Sequence, residues 1–138
     1  MSRIIGFTLL AALAIAAPAR AEMVNFKASM SGAQEVPPKT TDGKGDALAT
    51  LDTTKKILSY TVTYTGLTGP ATAAHIHGPA AVGANAGVLI PFASPASPIS
   101  GTATLTDAQI ADLMAGKMYA NVHTAANPGG EIRGQLTK

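Results

Sequence analysis

The chain has 138 residues and no cysteine, and the charges of residues 22–138 balance, with eight Lys and Arg against eight Asp and Glu. The formal charge of +2 therefore comes from Arg3 and Arg20. This balance leaves no basic patch, so we expect no nucleic-acid partner. The lack of cysteine excludes disulfides and thiolate metal ligands. The length of residues 22–138 suits one hydrophobic core and is too short for two domains.

Residues 1–21 have the pattern of a secretory signal peptide. Arg3 precedes an apolar run from Ile4 to Ala17, and the small-x-small triplet Ala19-Arg20-Ala21 predicts cleavage after Ala21. The apolar run is too short to cross a bilayer core of about 30 Å as a stable helix. We therefore expect a domain at 22–138 that is exported to the periplasm or the extracellular space and is not inserted in a membrane.

Alternation of apolar and polar residues predicts an all-β domain. In ILSYTVTYT, for example, Leu58, Tyr60, Val62 and Tyr64 share one face. The predicted strands are Met23–Met30, Ala47–Asp52, Ile57–Thr65, Thr72–His77, Val88–Phe92, Gly101–Leu105, Tyr119–His123 and Glu131–Leu136. Short strands separated by loops rich in Gly and Pro predict an antiparallel Greek-key sandwich or barrel.

One segment has helical spacing instead. Thr106 followed by Gln109 forms a capping box, Ile110, Leu113 and Met114 form an apolar stripe, and Gly116 provides a C-terminal cap. The pattern predicts one short helix near 107–115, and we assign it a structural role.

The three histidines are the candidate metal ligands. His75 and His77 lie two residues apart in AAHIHGP, so on a strand both point to the same face. His123 lies on the corresponding face of its own strand, together with Tyr119 and Asn121, which we expect to support the histidines. If the two strands are neighbours, three imidazoles meet on the surface in a set suited to copper or zinc. The competing interpretation is that each histidine is a solvent-facing or hydrogen-bonding polar residue.

The remaining charged candidates are Glu131 and Arg133, which share one face of the last strand. The favoured interpretation is that they form ion pairs with neighbouring residues. The alternative is that they contact the histidines and position them without binding the metal. Catalytic patterns fit poorly, because the chain has no GxSxG motif and its length is too small for a barrel amidohydrolase. Pro79 stands where a histidine-triad hydrolase needs a third alternating histidine. We assign no catalytic residue.

Four segments resemble, in order, the successive motifs of the CHRD domain, a module of the secreted protein chordin that also stands alone in exported bacterial proteins. They are Met30–Pro38, Ala73–Pro79, Leu113–Thr124 and Pro128–Leu136. The resemblance implies a β-rich domain of immunoglobulin-like or Greek-key type, and it implies no growth-factor binding for a single domain. It maps the family's His-x-His and Tyr-x-Asn-x-His signatures onto His75, His77, Tyr119, Asn121 and His123.

These observations lead to three hypotheses about function. The first is a monomeric exported domain that binds copper, or else zinc, through His75, His77 and His123. The second is a structural or adhesive module of the cell envelope that binds a protein partner, with histidines that only brace the sheet. The third and weakest is a small metalloenzyme of the superoxide-dismutase type, which usually needs more histidines than this chain has.

Overall fold

The computed structural model describes residues 16–18 and 20–138. Most of the predicted signal peptide, residues 1–21, lies outside the described residues. Within the described part, no helix has both the length and the apolar character needed to cross a membrane.

Eight strands and one α-helix make up the domain. The strands are β1 (Met23–Ser31), β2 (Lys44–Asp52), β3 (Ile57–Thr65), β4 (Ala71–His77), β5 (Val88–Pro91), β6 (Ile99–Thr104), β7 (Tyr119–Thr124) and β8 (Ile132–Gln135). The helix α1 (Asp107–Met114) precedes β7, and a short 3-10 helix at Gly32–Gln34 follows β1.

All eight strands belong to one antiparallel sheet that curls into a nearly closed barrel. Their order is β5-β4-β7-β8-β1-β2-β3-β6, so β4 with β7, β8 with β1, and β3 with β6 are neighbours that are not consecutive in the chain. The predicted all-β antiparallel fold with one short helix is confirmed. The two halves of the sheet join where β1 pairs with β8 at Ser31 and Arg133.

The alternating pattern in the sequence explains which face forms the core. β1, β2 and β3 pair over nine residues at each interface, and every second side chain points inward. The inward side chains are mainly aliphatic: Phe26, Ala28, Met30, Ala47, Ala49, Leu51, Leu58, Tyr60, Val62, Ala74, Ile76, Ala120, Val122 and Ile132. On the outward face of β2 and β3, Leu48, Ser59, Thr61 and Thr63 are exposed to solvent.

The outward face of β4, β7 and β8 is different, because residues 78–87, which connect β4 to β5, cover it. Arg133 donates a hydrogen bond of 2.7 Å to the Ala84 carbonyl, and Gln135 donates one of 2.7 Å to the Ala80 carbonyl. Tyr119 and Arg133 are consequently buried on the outward side. This half of the sheet is covered on both faces.

The predicted capping box is confirmed at the start of α1. The Thr106 hydroxyl accepts a hydrogen bond from the Gln109 backbone N–H, and the Gln109 side chain accepts one from the Thr106 N–H. Leu113 is buried, and Gly116 adopts a positive φ of 71° just after the helix. Glycine takes this left-handed conformation without steric cost, so it ends the helix as its position predicts.

Glu131 connects four segments at one end of the barrel. Its carboxylate accepts hydrogen bonds from the hydroxyls of Thr41 (2.6 Å), Thr68 (2.7 Å) and Thr124 (2.6 Å) and from the Thr68 N–H (2.9 Å). Burial acts to raise the pKa of Glu131, but these four hydrogen bonds outweigh it and lower the pKa to about 2. The side chain therefore stays ionised and stabilises the fold.

Candidate metal centre

The two histidine-bearing strands are direct neighbours in the sheet. In the antiparallel register of β4 and β7, Ala73 pairs with His123, His75 with Asn121, and His77 with Tyr119. The three histidines therefore lie on the same outward face of adjacent strands. This arrangement is the one that the alternating pattern of the sequence requires if they are to share a ligand.

The three imidazoles converge on one point. One ring nitrogen from each of His75, His77 and His123 lies within 4.8 Å of the others, and His75 Nδ1 is 3.1 Å from His123 Nε2. Three nitrogens that each lie about 2.1 Å from one ion in tetrahedral geometry are about 3.4 Å apart. Binding of a single ion by all three therefore requires the more widely spaced rings to approach each other by up to about 1.4 Å.

Backbone carbonyls orient two of the three rings. His77 Nδ1 lies 3.0 Å from the Ala86 oxygen, and His123 Nδ1 lies 2.8 Å from the Pro128 oxygen. A carbonyl oxygen can only accept, so each Nδ1 carries the proton, and the Nε2 of neutral His77, which has no hydrogen-bond partner, keeps its lone pair. Anchoring of the second ring nitrogen in this way is typical of histidines that bind metals.

The protonation equilibrium of the site favours neutral imidazole. Burial lowers the pKa of His75, and the neighbouring His123 and His77 lower it further. Burial also lowers the pKa of His77, although its hydrogen bonds with Ala86 and Asn121 act in the opposite direction. Near neutral pH both side chains are therefore in the form that binds a metal.

The prediction of a surface site needs correction for one of its residues. His77 is only 8% exposed, because residues 78–87 cover it, whereas His75 and His123 are half-buried. The alternating pattern placed these side chains outside the core but could not show that a loop returns over them. The result is a site at the border of the covered face, open on the side of His75 and His123.

Tyr119 and Arg133 form a stack behind His77. The Tyr119 ring lies parallel to the His77 ring, with 4.9 Å between centroids and 3° between planes. The Arg133 guanidinium carbon is 3.4 Å from the centroid of the Tyr119 ring, and the Tyr119 hydroxyl donates to the Ala86 carbonyl. Both residues thus hold His77 and the loop that anchors its Nδ1.

Asn121 and Glu131, the other two predicted supporting residues, have different surroundings. Asn121 Oδ1 lies 3.0 Å from His123 Nε2, within the cluster. By contrast, every hydrogen bond of the Glu131 carboxylate goes to a threonine at the end of the barrel and none goes to a histidine. Glu131 lies just before β8, which begins at Ile132 and not at Glu131 as predicted.

Glu35 is a site residue that sequence reasoning did not identify. Its carboxyl is 5% exposed and lies beside the Asn121 side chain. Burial raises the pKa of Glu35 to about 7, against the lowering influence of Arg133, Asn121 and Lys39. The segment Gln34–Pro38 contains no local partner for the carboxyl. Only the resemblance of Met30–Pro38 to a CHRD motif could have drawn attention to it.

The histidine cluster lies apart from the main groove of the described residues. A groove of about 650 Å³ lies elsewhere, on the outward face of β1 and β2, and is lined by Lys27, Asp46 and Leu48 among others. None of the three histidines lines it. The three histidines form a group that could hold a metal ion.

Comparison with known proteins gives one finding. A family model described as the CHRD domain matches residues 26–136, which includes all three histidines and nearly the whole barrel. No curated protein and no solved structure matches the chain.

Proposed function

Because the chain belongs to the CHRD domain family, we propose that it is an exported module of this family that binds one transition-metal ion, copper, through His75, His77 and His123. The observation that carries the proposal is the convergence of three imidazole nitrogens within 4.8 Å of one another. The anchoring of His77 and His123 by backbone carbonyls supports it, because it turns their Nε2 atoms away from those carbonyls and toward the cluster.

The donor set favours copper over the lighter divalent metals. All three ligands are imidazole nitrogens, which suit copper and zinc, and neither a thiolate nor a carboxylate belongs to the converging group. For a given set of nitrogen ligands, Cu(II) binds more tightly than Zn(II). Zinc is the second choice.

The proposed export rests on residues 1–21, whose charged start, apolar run and small-x-small ending are those of a signal peptide. The mature protein would begin at Glu22, in the periplasm or outside the cell. A copper site made only of histidines suits such an oxidising compartment, where thiols do not persist.

A second candidate function is a structural envelope module in which the histidines brace the sheet. The 3.1 Å contact between His75 and His123 and the two hydrogen bonds to backbone carbonyls favour it. On this view, replacing a histidine lowers the stability of the fold and the protein binds no stoichiometric metal.

Metal titration distinguishes the two candidates. The protein is recovered after export, and its intact mass shows whether cleavage follows Ala21. Cu(II) and Zn(II) are then titrated into it aerobically, and Cu(I) anaerobically. We expect one ion per chain. We expect His75→Gln to weaken binding at least about tenfold, because loss of a supporting residue already lowers metal affinity about tenfold or more and loss of a ligand should lower it at least as much.

The matched control is Thr50→Ala, at a half-buried outward position of β2 outside the cluster, which should bind as the wild type does. Stoichiometric binding that His75→Gln, His77→Gln and His123→Gln all leave unchanged would refute the three-histidine site.

A further inference from the structure

Two buried side-chain atoms in the described part of the chain have no hydrogen-bond partner: His77 Nε2 and Glu35 Oε1. Their side chains are 8% and 5% exposed. A buried polar atom without a partner destabilises a fold, and such atoms are rare in folded proteins. The proposed metal accounts for His77 Nε2, but the buried carboxyl of Glu35 needs a separate explanation.

The fold brings Glu35 to the histidine cluster through Asn121. Glu35 follows the 3-10 helix Gly32–Gln34, and its N–H donates to the Gly32 carbonyl. Its carboxyl lies against the Asn121 side chain, whose Oδ1 is 3.0 Å from His123 Nε2. A contact chain therefore leads from the carboxyl to one of the proposed ligands.

Gly130 makes this approach possible. A Cβ atom at residue 130 would overlap Glu35 Oε1 and would lie 2.8 Å from Asn121 Nδ2. Gly130 also has a φ of 122°, which a residue with a side chain rarely adopts. The backbone is thus shaped so that Glu35 and Asn121 can meet at this point.

The charges around the cluster indicate that a bound metal ion needs a nearby negative charge, which the Glu35 carboxyl can supply. Arg133 is 2% exposed and permanently positive, and its guanidinium donates to three neutral acceptors, the Ala84 carbonyl (2.7 Å), Asn85 Oδ1 (3.1 Å) and Gln135 Oε1 (3.5 Å). Within residues 20–138 no salt bridge neutralises it, although the field of Arg133 reaches Glu35. A divalent ion at the three imidazoles would add positive charge near a buried cation, which is unfavourable without a compensating anion.

We propose that Glu35 is the charge-compensating and positioning residue of the metal centre. Its carboxylate holds Asn121 against His123, and its negative charge offsets that of the bound ion, so that the site favours a divalent ion over Cu(I). This inference rests on the proposed metal-binding function and assigns to it a residue outside the three ligands.

The test compares the wild type with Glu35→Gln, which keeps the size of the side chain and removes its charge. We expect the affinity for Cu(II) and Zn(II) to fall about 10–100-fold, the range typical for residues that support metal ligands. The affinity for Cu(I) should fall clearly less, because a univalent ion gains less from the negative charge. The matched control is Glu22→Gln, an exposed carboxyl near the start of β1, which should change neither affinity.

A second variant separates charge from packing. Glu35→Asp keeps the charge on a shorter side chain and should retain most of the preference for divalent ions, provided that its circular dichroism matches the wild type. Equal losses in Glu35→Gln and Glu35→Asp, or equal losses for Cu(II) and Cu(I), would overturn the role of the charge.

The outcomes also separate this inference from the proposed function. If the wild type binds metal and Glu35→Gln binds it with unchanged Cu(II) and Cu(I) affinities, the role of Glu35 alone is refuted. If the wild type binds none of the three ions, both the metal site and the role of Glu35 are refuted.

Discussion

Replacing Glu131 by glutamine should lower the free energy of unfolding by about 2 to 3 kcal/mol at pH 7. The four hydrogen bonds to the carboxylate lower its pKa from 4.5 to about 2, in spite of burial. Each tenfold change in acidity corresponds to about 1.4 kcal/mol, so the ionised carboxylate stabilises the fold by about 3 kcal/mol. Glutamine retains one acceptor oxygen and therefore some of the hydrogen bonds.

The pH dependence of this difference identifies its cause. The folded-state pKa of Glu131 is lowered, so its stabilisation is fully present above pH 4.5 and is lost as the pH falls toward 2. The difference between wild type and Glu131→Gln should therefore fall by about 2 kcal/mol between pH 7 and pH 3, to less than about 1 kcal/mol. A loss caused by altered packing alone would not change in this way.

Urea unfolding followed by circular dichroism at pH 7, 5 and 3, with chelator present, measures the difference. Glu22→Gln removes an exposed carboxyl and should stay within about 0.5 kcal/mol of the wild type. A loss of less than about 1 kcal/mol at pH 7, or one that is the same at pH 3, would show that the threonine hydroxyls do not stabilise an ionised carboxylate.

Two further changes test other parts of the structure by the same urea unfolding. Thr106→Ala removes the N-cap of α1 and should cost about 1 kcal/mol, whereas Thr106→Ser should cost little; equal losses would contradict the role of the hydroxyl. In metal-free protein, Glu35→Gln should gain up to about 3 kcal/mol relative to the wild type between pH 5 and pH 8. The reason is that the folded-state pKa of Glu35, about 7, lies above 4.5, so the wild type loses stability as that proton leaves. A difference that is constant with pH would contradict the raised pKa.

Local sequence patterns predicted the strands well where one face is buried and the other is wet. β3 spans Ile57–Thr65, as its alternation predicts, and α1 begins at the residue after Thr106. β2 begins at Lys44, three residues before the predicted start, because its first residues are polar and glycine-rich and pair with the end of β3. Backbone pairing extended a strand that side-chain alternation could not reveal.

The candidate site was predictable to the extent that it depends on strand geometry. The two-residue spacing of His75 and His77 and the corresponding face of His123 led to the cluster, and the remaining condition was the pairing of β4 with β7. Glu35 and Glu131 could not be placed in this way, since their contacts depend on loops and on residues distant in sequence. Burial of His77 likewise depends on the path of residues 78–87.

The uneven cover of the sheet has a practical consequence for spectroscopy. β7 and β8 are packed on both faces, whereas Ser59 and Thr61 on β3 point to solvent and are exposed. Because the chain contains no cysteine, a single cysteine introduced at Ser59 would be its only thiol and could carry one spin label. Dipolar coupling between that label and a paramagnetic ion would then measure where in the barrel the ion is held.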